Sequence, residues 1–576
     1  MENAKLALTV NNLIEIKKKE CADKIAFFAE NSETWEGISW NRFTDMIKSL
    51  ASNLYKCGVK KGDRVGILCS TRYEWEVAEK ALFSIGAVIV GIDVKFSNKE
   101  ISKVINDLSI VAVIAENESY KKLPSKFLKT CKVIVIVENF EFIKKQKSVN
   151  IKDFYKKQKF AAVNVVAEDP AVIIYTSGTT GEPKAIMYRH KHLALAYKAI
   201  SDIFKEFEVE NETTICWLPM QHMTSKIINL VCYNLNIPIY FVNDPHKIVD
   251  KIKDINPTFF LGVPRFYEKI YQAINGKFEE KPFYVRFLVK SSLICRNLLR
   301  IKLMEKIFDF LIVSKIKNAI FGKRINFMMS GTAPIDNSIL KFFHSIGFLV
   351  LEVYATSEVA IPIAMNTPIN YKFGTVGIPT KYNEISFAED GEILVKGESV
   401  FDGYLNHDNK DIFDKNGRFK TGDLGYLDKD GFLILTGRKK ELIKTSTGIR
   451  ISPIEVEGVY GKSKYIDYIV VIGNNRKFLS ALITPNKDAI KKWHSKRFHK
   501  EKDIDLSKMP EVAELISQEL DNRNHELAEF KQIKKFKILN NSFTPETGEL
   551  TNSLKLKRSF IESKYIDEIE RMYAEK

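Results

Sequence analysis

A chain of 576 residues is too long for one ordinary core, so two or more domains are expected, and an apolar content of 45% argues against extended disorder. The net charge of +16 comes from lysines spread widely, as in 121–132 and 495–503, without zinc-finger spacing or an RNP-like aromatic signature. It reads as a solvated basic surface and not as a nucleic-acid module. Seven cysteines occur singly, odd in number and without a CxxC pair, which excludes a disulfide frame or cysteine zinc site and fits a reduced compartment.

The N-terminal MENAKLALTVNNLIEIKKKE lacks the apolar core and cleavage site of a signal peptide, and the charge-free run at 81–92 is too short to cross a bilayer. A cytoplasmic protein is expected, with attachment to a membrane surface left open. In chain order, β-branched runs at 64–69, 86–92, 111–115, 132–138, 171–175 and 238–242 alternate with helical patterns. One such helix, 73–86, shows an apolar face. Continuous apolar strands between helices predict an α/β fold with largely parallel sheets.

After about residue 390 the chain is rich in glycine and Asp-Gly turns, which predicts short antiparallel strands and hairpins. From about 440, strands at 468–473 and 479–485 and a helix over 511–527 predict a small α+β domain. The joint is placed near 437–441. The expected architecture is a large, multi-layered N-terminal domain over 1–438, with parallel sheets and a small β-barrel-like part, and a mobile α+β domain over 439–576.

The stretch YTSGTTGEPK (175–184) follows an apolar strand and carries Gly178, Gly181, four hydroxyl side chains (Thr176, Ser177, Thr179, Thr180) and Lys184. It lacks the Walker A spacing, yet glycines free backbone N–H groups to approach an anion, hydroxyls donate, and lysine adds charge. Phosphate binding is favoured over a flexible linker.

Together with its companions this stretch resembles the adenylate-forming superfamily, which includes acyl-CoA synthetases, luciferases and peptide-synthetase adenylation domains. TSGTTGEPK looks like its signature. SGTAP (330–334) resembles the adenine-side loop, EVYATSE (352–358) the Tyr-Gly-x-Thr-Glu element, and FKTGDLG (419–425) carries the Thr-Gly-Asp. TGRKKELIK (436–444) resembles the hinge, and GELTNSLKLKR (548–558) the terminal lysine motif. VPRFYEKIY (263–271) is similar to a motif of long-chain acyl-CoA synthetases.

The resemblance implies ATP, Mg²⁺ and CoA as cofactors, and a fatty acid whose carboxylate attacks the ATP α-phosphate to give acyl-AMP and pyrophosphate before a thiol displaces AMP. Thr176 to Lys184 would cradle the β- and γ-phosphates, and Glu358 would hold Mg²⁺ while Ser357 bonds phosphate. Gly331, Thr332 and Ala333 would flank the adenine on which Tyr354 stacks. Asp423 would accept the ribose hydroxyls, and Arg438 would reach the ribose and phosphate side. Lys555 would bridge the carboxylate and α-phosphate. Lys440 would be the hinge about which the C-terminal domain turns, bringing Gly448 toward the pantetheine channel, and His222 would stand beside the acyl pocket. Individually these have plainer readings: Asp423 as a turn-former, His222 as a core histidine, Lys555 as a surface lysine.

The chain departs from the family pattern at Ala185, Thr332 and Ala355, each in place of glycine, and at Ser357, in place of threonine. Ala355 borders the acyl channel in the family, where its methyl would narrow the passage slightly. Segment 283–313 alternates apolar residues with Lys and Arg. It reads either as helices packed with lysine stems outward or as a pair lying on anionic lipid. Two further functions stay open: an acyl-AMP ligase serving a carrier-protein thiol, and a degenerate nucleotide- or acyl-binding protein.

Overall fold

The computed structural model describes residues 9–31, 34–138, 148–155, 163–176, 184–207, 212–279, 320–498, 506–551 and 555–574. An eight-stranded sheet takes its parallel core from the apolar runs read in the sequence. Pro170–Thr176, Val88–Gly91, Arg64–Leu68, Ala112–Ala115, Ile134–Ile136 and Ser148–Asn150 lie side by side. Lys184–Arg189 and then Tyr404–Leu405 add antiparallel edges. Val88–Gly91 and Ala112–Ala115 are buried throughout, as strands covered on both faces must be.

A second sheet places Phe259–Gly262, Phe327–Ser330 and Val350–Tyr354 in parallel, with two short antiparallel strands beyond. A third joins Thr214–Cys216, Ile239–Phe241, Ile25–Asn31 and Thr34–Ser39. The glycine-rich region folds as an antiparallel sheet of Glu384–Phe387, Glu392–Lys396, Phe419–Leu427 and Leu433–Arg438.

The helix Tyr73–Ser84 differs from its expected one-sided pattern. It is buried all round from Glu74 to Phe83, because it lies between the first and third sheets. Its charges are met inside the core. Lys80 pairs with Glu76 and Glu79, each at 2.8 Å, and Glu79 also pairs with Lys226 of the helix Met223–Leu235.

Beyond residue 440, Ile466–Ile472, Leu479–Pro485 and Ile533–Ile538 form a three-stranded sheet. Alternation sends Ile469 and Val471 to a core with Val456, Val512 and Ile516, and Val470 and Ile472 to one with Ile561 and Ile569. These two cores hold no residue before Ile443, and the cores of the larger part hold none after Leu435. Segment 283–313 lies outside the described residues. Among the described residues no helix is long and apolar enough to cross a membrane.

Candidate active site

The carboxyl ends of parallel strands from two sheets bring the motifs together, the usual place for a ligand in α/β folds. Pro170–Thr176 ends at Thr176, which pairs in register with Lys184 on the antiparallel strand Lys184–Arg189. Ser177, Gly178, Thr179, Thr180 and Gly181 lie outside the described residues. Lys184 Nζ stands 4.4 Å from the centre of the Tyr404 ring. The Tyr404 hydroxyl donates to Glu358 Oε1 at 2.6 Å. Tyr188 donates at 2.6 Å to the carbonyl of Ser357, fixing the turn that presents Glu358. Burial first, and the Glu358 charge second, push both phenols above the usual tyrosine range, so they stay donors.

Asp423 and Arg438 are register partners on neighbouring antiparallel strands, and Arg438 Nε donates to Asp423 Oδ1 at 2.8 Å. The Tyr354 hydroxyl donates to Asp423 Oδ2 at 2.7 Å. Asp423 is buried and Arg438 is 44% exposed on its side chain, so the carboxylate is held still while the guanidinium can reach outward. Gly331, Thr332 and Ala333 follow the strand Phe327–Ser330, and Thr332 and Ala333 are exposed. Thr332 holds φ at +78°, the left-handed region that glycine tolerates best. Ala185 sits in a strand opposite Tyr175 and Leu405 and needs no such conformation. Ala355 is exposed just after Val350–Tyr354. On that strand Glu352 is buried with one long donor, Ile335 N at 3.4 Å, and burial lifts its carboxyl to about 8.

Lys555 comes from the C-terminal unit, where Thr551 N donates to its carbonyl at 2.8 Å and its own N–H donates to Thr551 Oγ1 at 3.0 Å. Burial, then Arg438, bring its amine down to about 8, against the pull of Asp423, Glu441 and Glu358. The lysine thus feels the charges of the site directly. His222 caps the helix Met223–Leu235, and its Nε2 is buried with no hydrogen-bond partner among the described residues. Burial lowers its pKa, Asp93 opposes, and Lys555 and Lys226 lower it further, which favours the neutral imidazole. The neighbouring Gln221 packs on Gly91, where a Cβ would meet Gln221 Cβ at 2.7 Å. Only glycine permits that approach.

Lys440 and Gly448 lie on exposed turns of the C-terminal part, and neither is among the charges and contacts just described. Three site groups escaped the sequence reading: Tyr188, Tyr404 and Glu441. The signal for Tyr404 was present in Gly403-Tyr404-Leu405, which reads as turn texture. Among the described residues no cluster of three or more His, Cys, Asp or Glu could cage a metal. One carboxylate fixed by a tyrosine hydroxyl, Glu358, suits Mg²⁺, which takes one or two carboxylates and completes its shell with substrate phosphates and water.

The family model for AMP-binding enzymes matches residues 14–405, and that for the AMP-binding enzyme C-terminal domain matches 440–576. The long-chain-fatty-acid–CoA ligase FadD15 of Mycobacterium bovis is 30% identical, over 94% of this chain and 92% of that protein. The human long-chain-fatty-acid–CoA ligase 1 is 26% identical, over 94% and 83%. The adenylation domain of a carboxylate reductase from Mycobacterium chelonae superposes with a TM-score of 0.80 at 19% identity, covering 98% of this chain and 91% of that one. The anthranilate CoA ligase AuaEII, bound to anthranoyl-AMP, reaches 0.75 at 17%, covering 98% of both chains. Matched along both parts, the chain belongs to the AMP-binding enzymes of the adenylate-forming superfamily, in the long-chain fatty-acid–CoA ligase type.

Proposed function

We infer that the chain converts a fatty acid, ATP and CoA into acyl-CoA, AMP and pyrophosphate, with Mg²⁺ as the metal. In the first step a carboxylate oxygen attacks the α-phosphorus and the bond to the β-phosphate breaks, releasing pyrophosphate. In the second the thiol sulfur attacks the acyl carbon, loses its proton, and AMP leaves. The first step brings anion to anion, so it depends on positive charge placed in advance. The observation that carries the reading is the match to AMP-binding enzymes along both parts of the chain, with Lys555 of the C-terminal unit set among the charges of Arg438, Asp423 and Glu358.

In this reading Lys555 bridges the carboxylate and the α-phosphate, and Asp423, braced by Tyr354 and Arg438, accepts from the ribose. Glu358 holds Mg²⁺, Ser357 bonds phosphate, and the hairpin from Thr176 to Lys184 grips the β- and γ-phosphates. Gly331, Thr332, Ala333 and Ala355 line the nucleotide and acyl side, with neutral His222 at the acyl pocket. The two parts divide at 438/439, Lys440 acts as hinge, and Gly448 turns toward CoA in the second step.

The test is AMP release from ATP and Mg²⁺ across acids from acetate to oleate, with and without CoA. Release that needs CoA and peaks at medium or long chains supports the ligase. Acyl-AMP that forms but does not turn over with CoA redirects the reading to a carrier-protein thiol. Cytoplasmic residence is proposed, with contact of 283–313 to anionic lipid as the alternative to helices packed with lysine stems outward, on the alternation of apolar and basic residues there. Flotation with anionic liposomes that fails at every salt concentration removes that part. A gel-shift assay is expected to show no nucleic-acid binding.

A further inference from the structure

Two contacts far along the chain from Lys555 tie the C-terminal unit to the larger part. Arg265 opens the helix Pro264–Glu279, directly after the strand Phe259–Gly262. Its guanidinium pairs with Asp467 of the strand Ile466–Ile472 and lies 4.6 Å from the centre of the Tyr468 ring. It also meets Glu268 at 3.2 Å, and Asp467 accepts from the Ser542 hydroxyl. The second contact joins Lys462 to Asp336 at 3.4 Å, while Lys462 also holds Glu526 at 2.8 Å. Asp336 follows the loop 330–334 and caps the helix Asn337–Ser345, accepting from Ser338 N at 2.8 Å.

Both anchors therefore stand just beyond the carboxyl ends of adjacent parallel strands, Phe259–Gly262 and Phe327–Ser330, the edge that also carries the adenine-side loop. Each is an ion pair with a side chain from the C-terminal unit, and the side chains of Arg265 and Asp467 are only 14% and 26% exposed. Partial burial strengthens such a pair relative to a solvated one and makes it selective for one geometry. Among the described residues the apolar cores of the two parts share no member, which leaves weight on the ion pairs where the parts meet.

We propose that Arg265 and Asp336 are positioning residues for adenylation: they clamp Asp467, Tyr468 and Lys462 so that the C-terminal unit sits where Lys555 enters the site. The inference rests on the two-step reading above. Thioester formation does not use Lys555, so loosening the clamp impairs the first step and spares the second. Coupling also runs through the adenine-side loop, because Asp336 is fixed to it by a single residue.

The experiment compares half-reactions in the full-length enzyme. Asp467→Asn is expected to slow acyl-AMP formation roughly tenfold while transfer from supplied acyl-AMP to CoA stays within about twofold, since one partly buried charge pair is lost. The exchange Arg265→Asp with Asp467→Arg is expected to restore most of the first step. Asp336→Asn, which keeps the helix cap, is a second and milder route to the same split. Domain position is read independently from the distance between dyes at Tyr371→Cys and Phe530→Cys in an otherwise cysteine-blocked background. Both positions are exposed. Equal loss of both steps, failure of the charge exchange to restore the first, or an unchanged dye distance in Asp467→Asn overturns the clamp. The dye distance decides the clamp even for an enzyme that activates no acid tried, a silence that counts against the ligase reading alone.

Discussion

Tyr404 donates its hydroxyl hydrogen to Glu358 at 2.6 Å while its ring lies beneath the Lys184 ammonium at 4.4 Å. One residue from an edge strand thus holds the carboxylate proposed for Mg²⁺ and the lysine proposed for phosphate at a fixed spacing. Tyr404→Phe keeps the ring and removes the hydrogen bond to a charged acceptor, a contact worth about 1.5–3 kcal/mol. We expect the KM for Mg-ATP to rise roughly tenfold, with a smaller effect on transfer to CoA. An unchanged Mg-ATP titration curve contradicts this role for the tyrosine.

Burial, then Arg438, bring the Lys555 amine down to about 8, and in its proposed role adenylation needs the ammonium form. Below that pH the lysine is protonated and competent; above it the charge is lost. So kcat/KM for ATP, which reports the free enzyme, falls on the alkaline side of about 8. Bound triphosphate is anionic and raises the lysine pKa, which moves the same limb in kcat to higher pH. Lys555→Arg carries the limb out of range, and Lys555→Ala slows acyl-AMP formation about a hundredfold or more while sparing transfer from supplied acyl-AMP. Coincident alkaline limbs in kcat and kcat/KM exclude the assignment.

Motifs made of contiguous residues were legible as candidates, because their spacing is local: the run up to Lys184, the stretch ending at Glu358, and Asp423 in its Thr-Gly setting. Partners distant in the chain were not. Tyr404 meets Glu358 across 46 positions, and Lys226 meets Glu79 across 147, so neither the phenol clamp nor the burial of Glu74 to Phe83 on every side shows in periodicity. Thr332 lies between: its place in a glycine position was readable, its positive φ was not. Thr332→Gly relieves about 1–2 kcal/mol of left-handed strain and loses about 0.5–1 to the freer unfolded chain. A small rise in the thermal midpoint is expected for Thr332→Gly and none for Thr332→Ala, as a differential melt would show.

Glu352 is a buried carboxyl whose pKa stands at about 8, well above the unfolded value. A raised folded pKa means that its stabilising contribution is complete at acid pH and disappears as pH climbs through about 8. Glu352→Gln supplies a neutral group of the same shape at every pH. The variant should match the wild type near pH 4 and exceed it increasingly from pH 5 to 9, by on the order of 2–4 kcal/mol at the upper end. Thermal midpoints in parallel across that range test the sign, and a constant difference refutes it.

The buried charges between Tyr73–Ser84 and Met223–Leu235 balance as two glutamates and two lysines, with Asn229 Nδ2 donating to Glu76 Oε1 at 2.8 Å. All four ionised side chains are 2% exposed or less, so no water screens a change in the count. Lys226→Met leaves two carboxylates facing one ammonium and should cost about 3–5 kcal/mol. Removing Glu79 as well restores balance, since Lys80 keeps Glu76 at 2.8 Å. The double variant Glu79→Gln with Lys226→Met should therefore melt above Lys226→Met alone, although it carries one more substitution. His222, proposed to stand at the acyl pocket, is the N-cap residue of the helix Met223–Leu235, one turn from Lys226, so the same pair of variants should shift the acyl-chain KM in the same order as the melting points. A double variant that melts below Lys226→Met shows that the pair acts through packing and not through charge.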